Sequence, residues 1–166
     1  MKTSAFIQLA LLIAFLVDIT LVFFGFSESR PSIFLLTLIY WNLALPERIS
    51  LFSIIIFGLV YDLFQGTLFG VYAIAFLSIT YIFQRFFYQF RTLSILQQCF
   101  LVFIISFFLK LYLGFDFEDV GEASSTLIDL DYIKLSALHS LSNALIWPFL
   151  FFCLRFYRRK WIGIRR

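Results

Sequence analysis

From Ile49 to Phe87 the chain is apolar apart from Asp62, Arg85 and a few small polar residues. A helix crossing the ~30 Å hydrocarbon core of a bilayer needs about 20 residues, with a range of roughly 17–25. The segment is too long for one crossing, so it has to break. Gly66-Thr67 is the cheapest place, because glycine adopts turn dihedrals without steric cost. A helical hairpin follows, with one carboxylate, Asp62, just ahead of the bend.

The rest of the chain repeats this texture. Of its 166 residues, 62% are hydrophobic and 14% are charged, whereas a water-soluble domain carries about 25% charged residues. Too little polar surface remains to cover a water-soluble globule, and none to build a separate soluble domain. The expectation is an all-α membrane protein forming one six-helix transmembrane domain over 1–166, with spans near 4–24, 32–45, 49–64, 67–87, 93–113 and 133–156. The second and third runs are short and meet at Pro46-Glu47-Arg48, as a hairpin with local bilayer thinning would. Helices are favoured over a barrel because the runs are solidly apolar and do not alternate. The first run is too long for a signal-peptide core and lacks a small-x-small cleavage site after it, so it reads as a retained span.

Charge sets the orientation. In this arrangement Arg30, Lys110 and Lys134 fall on one side. Lys2, Arg48, Arg85, Arg91, Arg155, Arg158, Arg159, Lys160, Arg165 and Arg166 fall on the other. Cytoplasmic loops carry the excess of Lys and Arg, which places both termini inside and requires an even number of spans. The loop from Phe115 to Tyr132 then faces outward with Asp116, Glu118, Asp119, Glu122, Asp129 and Asp131. It reads as a solvated loop or an acidic contact surface, and its spacing does not match a calcium loop. The basic tail reads as an anchor on anionic lipid, at about 1 kcal/mol per Lys or Arg.

A carboxylate at the centre of a span costs roughly 2.5–3.5 kcal/mol, so each one needs a reason. Asp18, Asp62 and His139 fall at a similar depth in the outer half and form an intramembrane polar cluster. Ser136, His139, Ser140, Asn143 and Trp147 make one stripe along the last helix by their spacing of three and four. Hydrogen-bonded glue between helices and an ion or proton pathway both account for such groups. Gly58, Asp62, Gly66 and Gly70 recur at four-residue steps, as do Ala10 and Ala14, a spacing that permits close helix approach. Cys99 and Cys153 show neither disulfide nor metal spacing. No nucleophile elbow, phosphate loop, zinc motif or paired catalytic carboxylate occurs, so no enzyme, cofactor or metal site is expected, nor nucleic-acid binding.

The segments RPSIFLLTLIYWNLALPERIS and GLVYDLFQGTLFGVYA, with FRTLSILQQ and SNALIWP further on, resemble the MreD family of rod-shape-determining inner-membrane proteins. The resemblance implies a non-enzymatic scaffold of the cell-wall elongation machinery. Its implied partner is MreC, which leads indirectly to the class B penicillin-binding transpeptidase, the RodA glycosyltransferase and MreB, so that peptidoglycan synthesis runs along the cell length. It further implies a fold similar to the substrate-binding components of energy-coupling-factor transporters, which keeps a vitamin-like small-molecule binding or transport role as the alternative. The positions carried over are Arg30, Pro31, Tyr40, Pro46, Gly58, Asp62, Gly66, Gly70, Asn143 and Pro148. Physically, Arg30-Pro31 suits the start of the second helix, and Pro46 its end. Pro148 suits a kink in the last helix, with Ser140 and Asn143 satisfying the backbone groups it frees.

Overall fold

In the computed structural model, residues 2–23, 30–86, 92–114 and 130–161 are described. They form six α-helices: α1 (Lys2–Phe23), α2 (Ile33–Ala44), α3 (Leu51–Gln65), α4 (Val71–Arg85), α5 (Ile95–Leu113) and α6 (Leu130–Trp161). A single 3₁₀ turn, Pro46–Arg48, links α2 to α3. α2 stops at Ala44 because a proline disfavours helical dihedrals in the residue before it, and Leu45 is extended in φ at −150°.

Consecutive helices pair as α1–α2, α3–α4 and α5–α6, and α2 also packs on α4 and α6. α2 is thus the central element, buried at every residue from Phe34 to Asn42. Phe34 anchors an aromatic cluster with Phe15, Phe57, Tyr61 and Phe76, whose ring centroids lie 5.1–6.1 Å from its own.

The helices alternate in direction, and long-range hydrogen bonds mark the two ends. At one end Gln8 donates to Ser53, Gln84 to the Pro46 carbonyl and Tyr157 to the Phe6 carbonyl. At the other, Asp18 meets the start of α2 and Tyr132 donates to the Lys110 carbonyl. Arg48, Arg85, Arg155 and Arg158 therefore sit toward the first end, and Arg30, Lys110 and Lys134 toward the second.

The surface is that of a membrane protein. On α6, Leu138, Leu141, Leu145, Phe149, Phe152 and Phe156 run down the exposed face, while Ser136, Ser140, Asn143 and Trp147 are fully buried. Polar groups inside and apolar groups outside is the reverse of a water-soluble helix. Among the described residues three helices are long and apolar enough to cross a bilayer, over Ser4–Leu21, Ile95–Leu113 and Leu130–Lys160. α2, α3 and α4 are apolar but shorter, at 12, 15 and 15 residues; at 1.5 Å per residue the longest is only about 22 Å.

Four sequence expectations change. α4 begins at Val71, not Thr67, because Gly66 (φ 69°) and Gly70 (φ 103°) are both left-handed and the residues between them form a turn. The four-residue Gly58–Gly70 stripe is therefore broken after Asp62. Pro31 precedes the N-cap Ser32, so it lies outside the first helical turn. α6 runs through Pro148 as one 32-residue helix, longer than the expected 133–156. Ser140 and Asn143 do not serve the backbone freed there: Ser140 donates back to the Ser136 carbonyl, and Asn143 bonds α5 and the start of α2. The acidic loop lies outside the described residues except for its last members, of which Asp131 pairs with Lys134 at 2.8 Å.

Candidate functional site

α2, α3 and α4 start without a capping side chain of their own, and at α2 and α4 the bundle supplies one from elsewhere. The N-cap of α2 is Ser32, whose hydroxyl makes no capping bond, and the N-cap of α4 is Gly70, which has no side chain. The first N–H groups of a helix have no partner within it, and in an apolar interior each unsatisfied one is costly. The two buried carboxylates fill these positions.

Asp18, 2% exposed, reaches from α1 to the start of α2. Its Oδ1 accepts the Ile33 N–H at 2.8 Å and its Oδ2 the Phe34 N–H at 3.0 Å. The same Oδ2 accepts the Tyr61 hydroxyl of α3 at 3.1 Å. Asp18 thus ties three helices together.

Asp62, fully buried, reaches from the last turn of α3 to the start of α4. Its Oδ1 accepts the Tyr72 N–H at 2.8 Å and the Thr67 hydroxyl at 3.0 Å, and its Oδ2 accepts the Gly70 N–H at 2.8 Å. The turn from Gly66 to Gly70 is wrapped around this carboxylate. Both anions also meet the positive end of a helix dipole.

The third polar group completes the start of α2. Asn143 accepts the Ser32 N–H at 2.8 Å through Oδ1, while its amide donates to the Ser106 hydroxyl at 2.9 Å and lies 3.2 Å from His139 Nε2. Asp18, Asp62, His139 and Asn143 therefore gather at one end of the bundle, where the rings of Tyr61 and Tyr72 meet at 4.7 Å, tilted by 43°. Beside them opens a cavity of about 330 Å³, lined among others by Arg30, Tyr61, Gln65, Tyr72, Lys110 and His139. The carboxylates are not on its wall; they are turned to backbone N–H groups.

The remaining singled-out positions are dispersed. Gly58 packs against Ala73 so closely that a Cβ would strike the Ala73 backbone, which explains the glycine as an α3–α4 contact within this chain. Ala10 and Ala14 are buried in the core. Tyr40 and Pro46 lie toward the opposite end, and Cys99 is half-buried while Cys153 is exposed. Among the described residues no three His, Cys, Asp or Glu side chains converge.

Sequence reasoning missed Tyr61, Thr67, Tyr72, Ser32 and Ser106, the partners of the singled-out groups. Gly70 carried a signal for two of them, since a helix capped by glycine in an apolar interior needs an outside acceptor.

Residues 2–157 match the family described as rod shape-determining protein MreD. The chain belongs to the MreD family. It is similar to the rod shape-determining protein MreD of Haemophilus influenzae (strain ATCC 51907 / DSM 11121 / KW20 / Rd), at 28% identity over 148 residues, covering 89% of this chain and 87% of that one. No solved structure matches it. MreD membership supports a role in cell shape, and the three long apolar helices fit a membrane protein.

Proposed function

We propose that the chain is a non-enzymatic scaffold of the wall-elongation complex, binding MreC and thereby supporting peptidoglycan synthesis along the cell length. RodA, the class B transpeptidase and MreB are engaged through MreC or through the assembled complex. The observation that carries this reading is the use made of the buried carboxylates. Each is taken up by three donors that fix where a helix begins, so the polar chemistry inside the bundle goes into holding a shape. A membership in a shape-determining family agrees with that use.

In this reading all six helices cross the bacterial inner membrane, in a fold like that of the energy-coupling-factor substrate-binding components. The short α2, α3 and α4 draw on flanking residues or on a locally thinned bilayer. The arginine-rich end, with both termini, faces the cytoplasm.

Deleting the gene tests the shape role: rods should become round, and rods of normal width would overturn it. The cavity beside Arg30 and His139 favours the second reading, a small-molecule binding subunit. That reading requires uptake of a radiolabelled vitamin to depend on this chain.

A further inference from the structure

A second cavity, of about 250 Å³, opens at the other end of the bundle between α2, α5 and α6. Tyr40, Gln98, Phe151, Arg155 and Arg158 are among its walls. Tyr40 is 2% exposed, and its hydroxyl has no hydrogen-bond partner among the described residues. Buried hydroxyls normally have one. Arg158, Arg155 and, least, Arg159 act electrostatically on Tyr40, and the first two line the cavity. Among the described residues neither guanidinium has a carboxylate partner, and Glu47 of the nearby turn is exposed. Gln98 is held in place, donating to the Leu93 carbonyl at 3.1 Å and accepting from Trp147 at 3.4 Å, which leaves one amide N–H uncommitted.

We propose that this cavity binds a phosphate ester, supplied by the headgroup of an anionic lipid. Two guanidiniums offer paired N–H donors that fit phosphate oxygens, with the Tyr40 hydroxyl and the Gln98 amide as further donors. Leu43, Ala44 and Phe151 give the apolar wall that a glycerol and acyl chain would follow and that a free phosphate would not use. Basic pockets between membrane helices are suited to anionic headgroups. The site needs only to lie at headgroup depth, so it stands or falls independently of the MreC reading. It also gives Tyr40, whose aromatic ring belongs to the core, a use for its hydroxyl.

The test uses the purified full chain in detergent, titrated with phosphatidylglycerol, phosphatidylcholine or inorganic phosphate and read by native mass spectrometry. Phosphatidylglycerol should bind in preference to phosphatidylcholine. The R155Q/R158Q double variant should weaken it roughly 30-fold, from two cations near a lipid phosphate. R48Q/R85Q, which removes the same charge at exposed positions outside the cavity lining, should leave it nearly unchanged. Y40F keeps both cations and the ring, so it should weaken binding several-fold with an unaltered lipid-free unfolding temperature. Equal losses in the two double variants, or equal binding of the two lipids, would overturn the site. Displacement of phosphatidylglycerol by inorganic phosphate would overturn the lipid as its source. If the double variant does not fold, Y40F decides: unchanged affinity there contradicts the proposal.

Discussion

Asp62 and Tyr72 lie on different helices, yet the Asp62 Oδ1 accepts the Tyr72 N–H at 2.8 Å. With the Gly70 N–H on its other oxygen, this one side chain starts α4 from α3. Asp18 does the same for α2 from α1. Capping of α2 and α4 is thus done between helices, by groups whose cost of burial is offset by the N–H groups they satisfy.

Asp62→Ala should destabilise the folded bundle while leaving membrane insertion intact. It strands two backbone N–H groups and the Thr67 hydroxyl. At about 1–3 kcal/mol for a buried donor left unpaired, partly relieved by water at this end, a total loss of roughly 2–4 kcal/mol is expected. Reversible unfolding in mixed micelles measures it, and wild-type stability would remove any special role for Asp62. Asp62→Asn, which keeps one acceptor oxygen, should recover part of the loss.

Tyr61→Phe and Asp18→Ala separate the two functions of the Asp18 site. The first removes one of three donors to the carboxylate and should cost about 1 kcal/mol. The second uncaps α2 as well and should cost at least twice that. Equal costs would mean that the bonds to Ile33 and Phe34 contribute nothing.

Two glycines should fail for different reasons. Gly58→Ala forces α3 and α4 apart, at about 1–3 kcal/mol for overpacking. Gly66→Ala meets no neighbour and pays only for a left-handed backbone, about 1–2 kcal/mol. Because the clash of the first is with the Ala73 backbone, a compensating Ala73→Gly should rescue neither variant; rescue of Gly58→Ala would argue against the backbone contact.

Orientation is accessible to cysteine labelling after Cys99 and Cys153 are replaced. Lys134→Cys, an exposed position, should react with an impermeant reagent from outside, and Arg159→Cys only after the membrane is opened. The reverse pattern would invert the topology.

The hairpin bend at Gly66 was legible because an apolar run of that length has no alternative. So was the buried stripe of α6, since its polar residues repeat at helical spacing. The capping pairs were not. Asp18 meets Ile33 across a connection that includes residues outside the described set, and nothing local marks which helix start it serves. The left-handed Gly70 delayed α4 by four residues, which only the bonded turn around Asp62 reveals. Asn143 was assigned to the backbone near Pro148 by proximity in sequence, whereas its bonds run to Ser32 and Ser106 on neighbouring helices. Reading a span gives its face, but not the partner across it.

The proposed scaffold role meets its most direct test in affinity purification of the tagged full chain from native membranes in mild detergent, with MreC quantified against unrelated membrane proteins. We expect MreC to be strongly enriched with the wild-type chain and reduced with Asp62→Ala. MreC recovered no better than unrelated membrane proteins would contradict the scaffold reading.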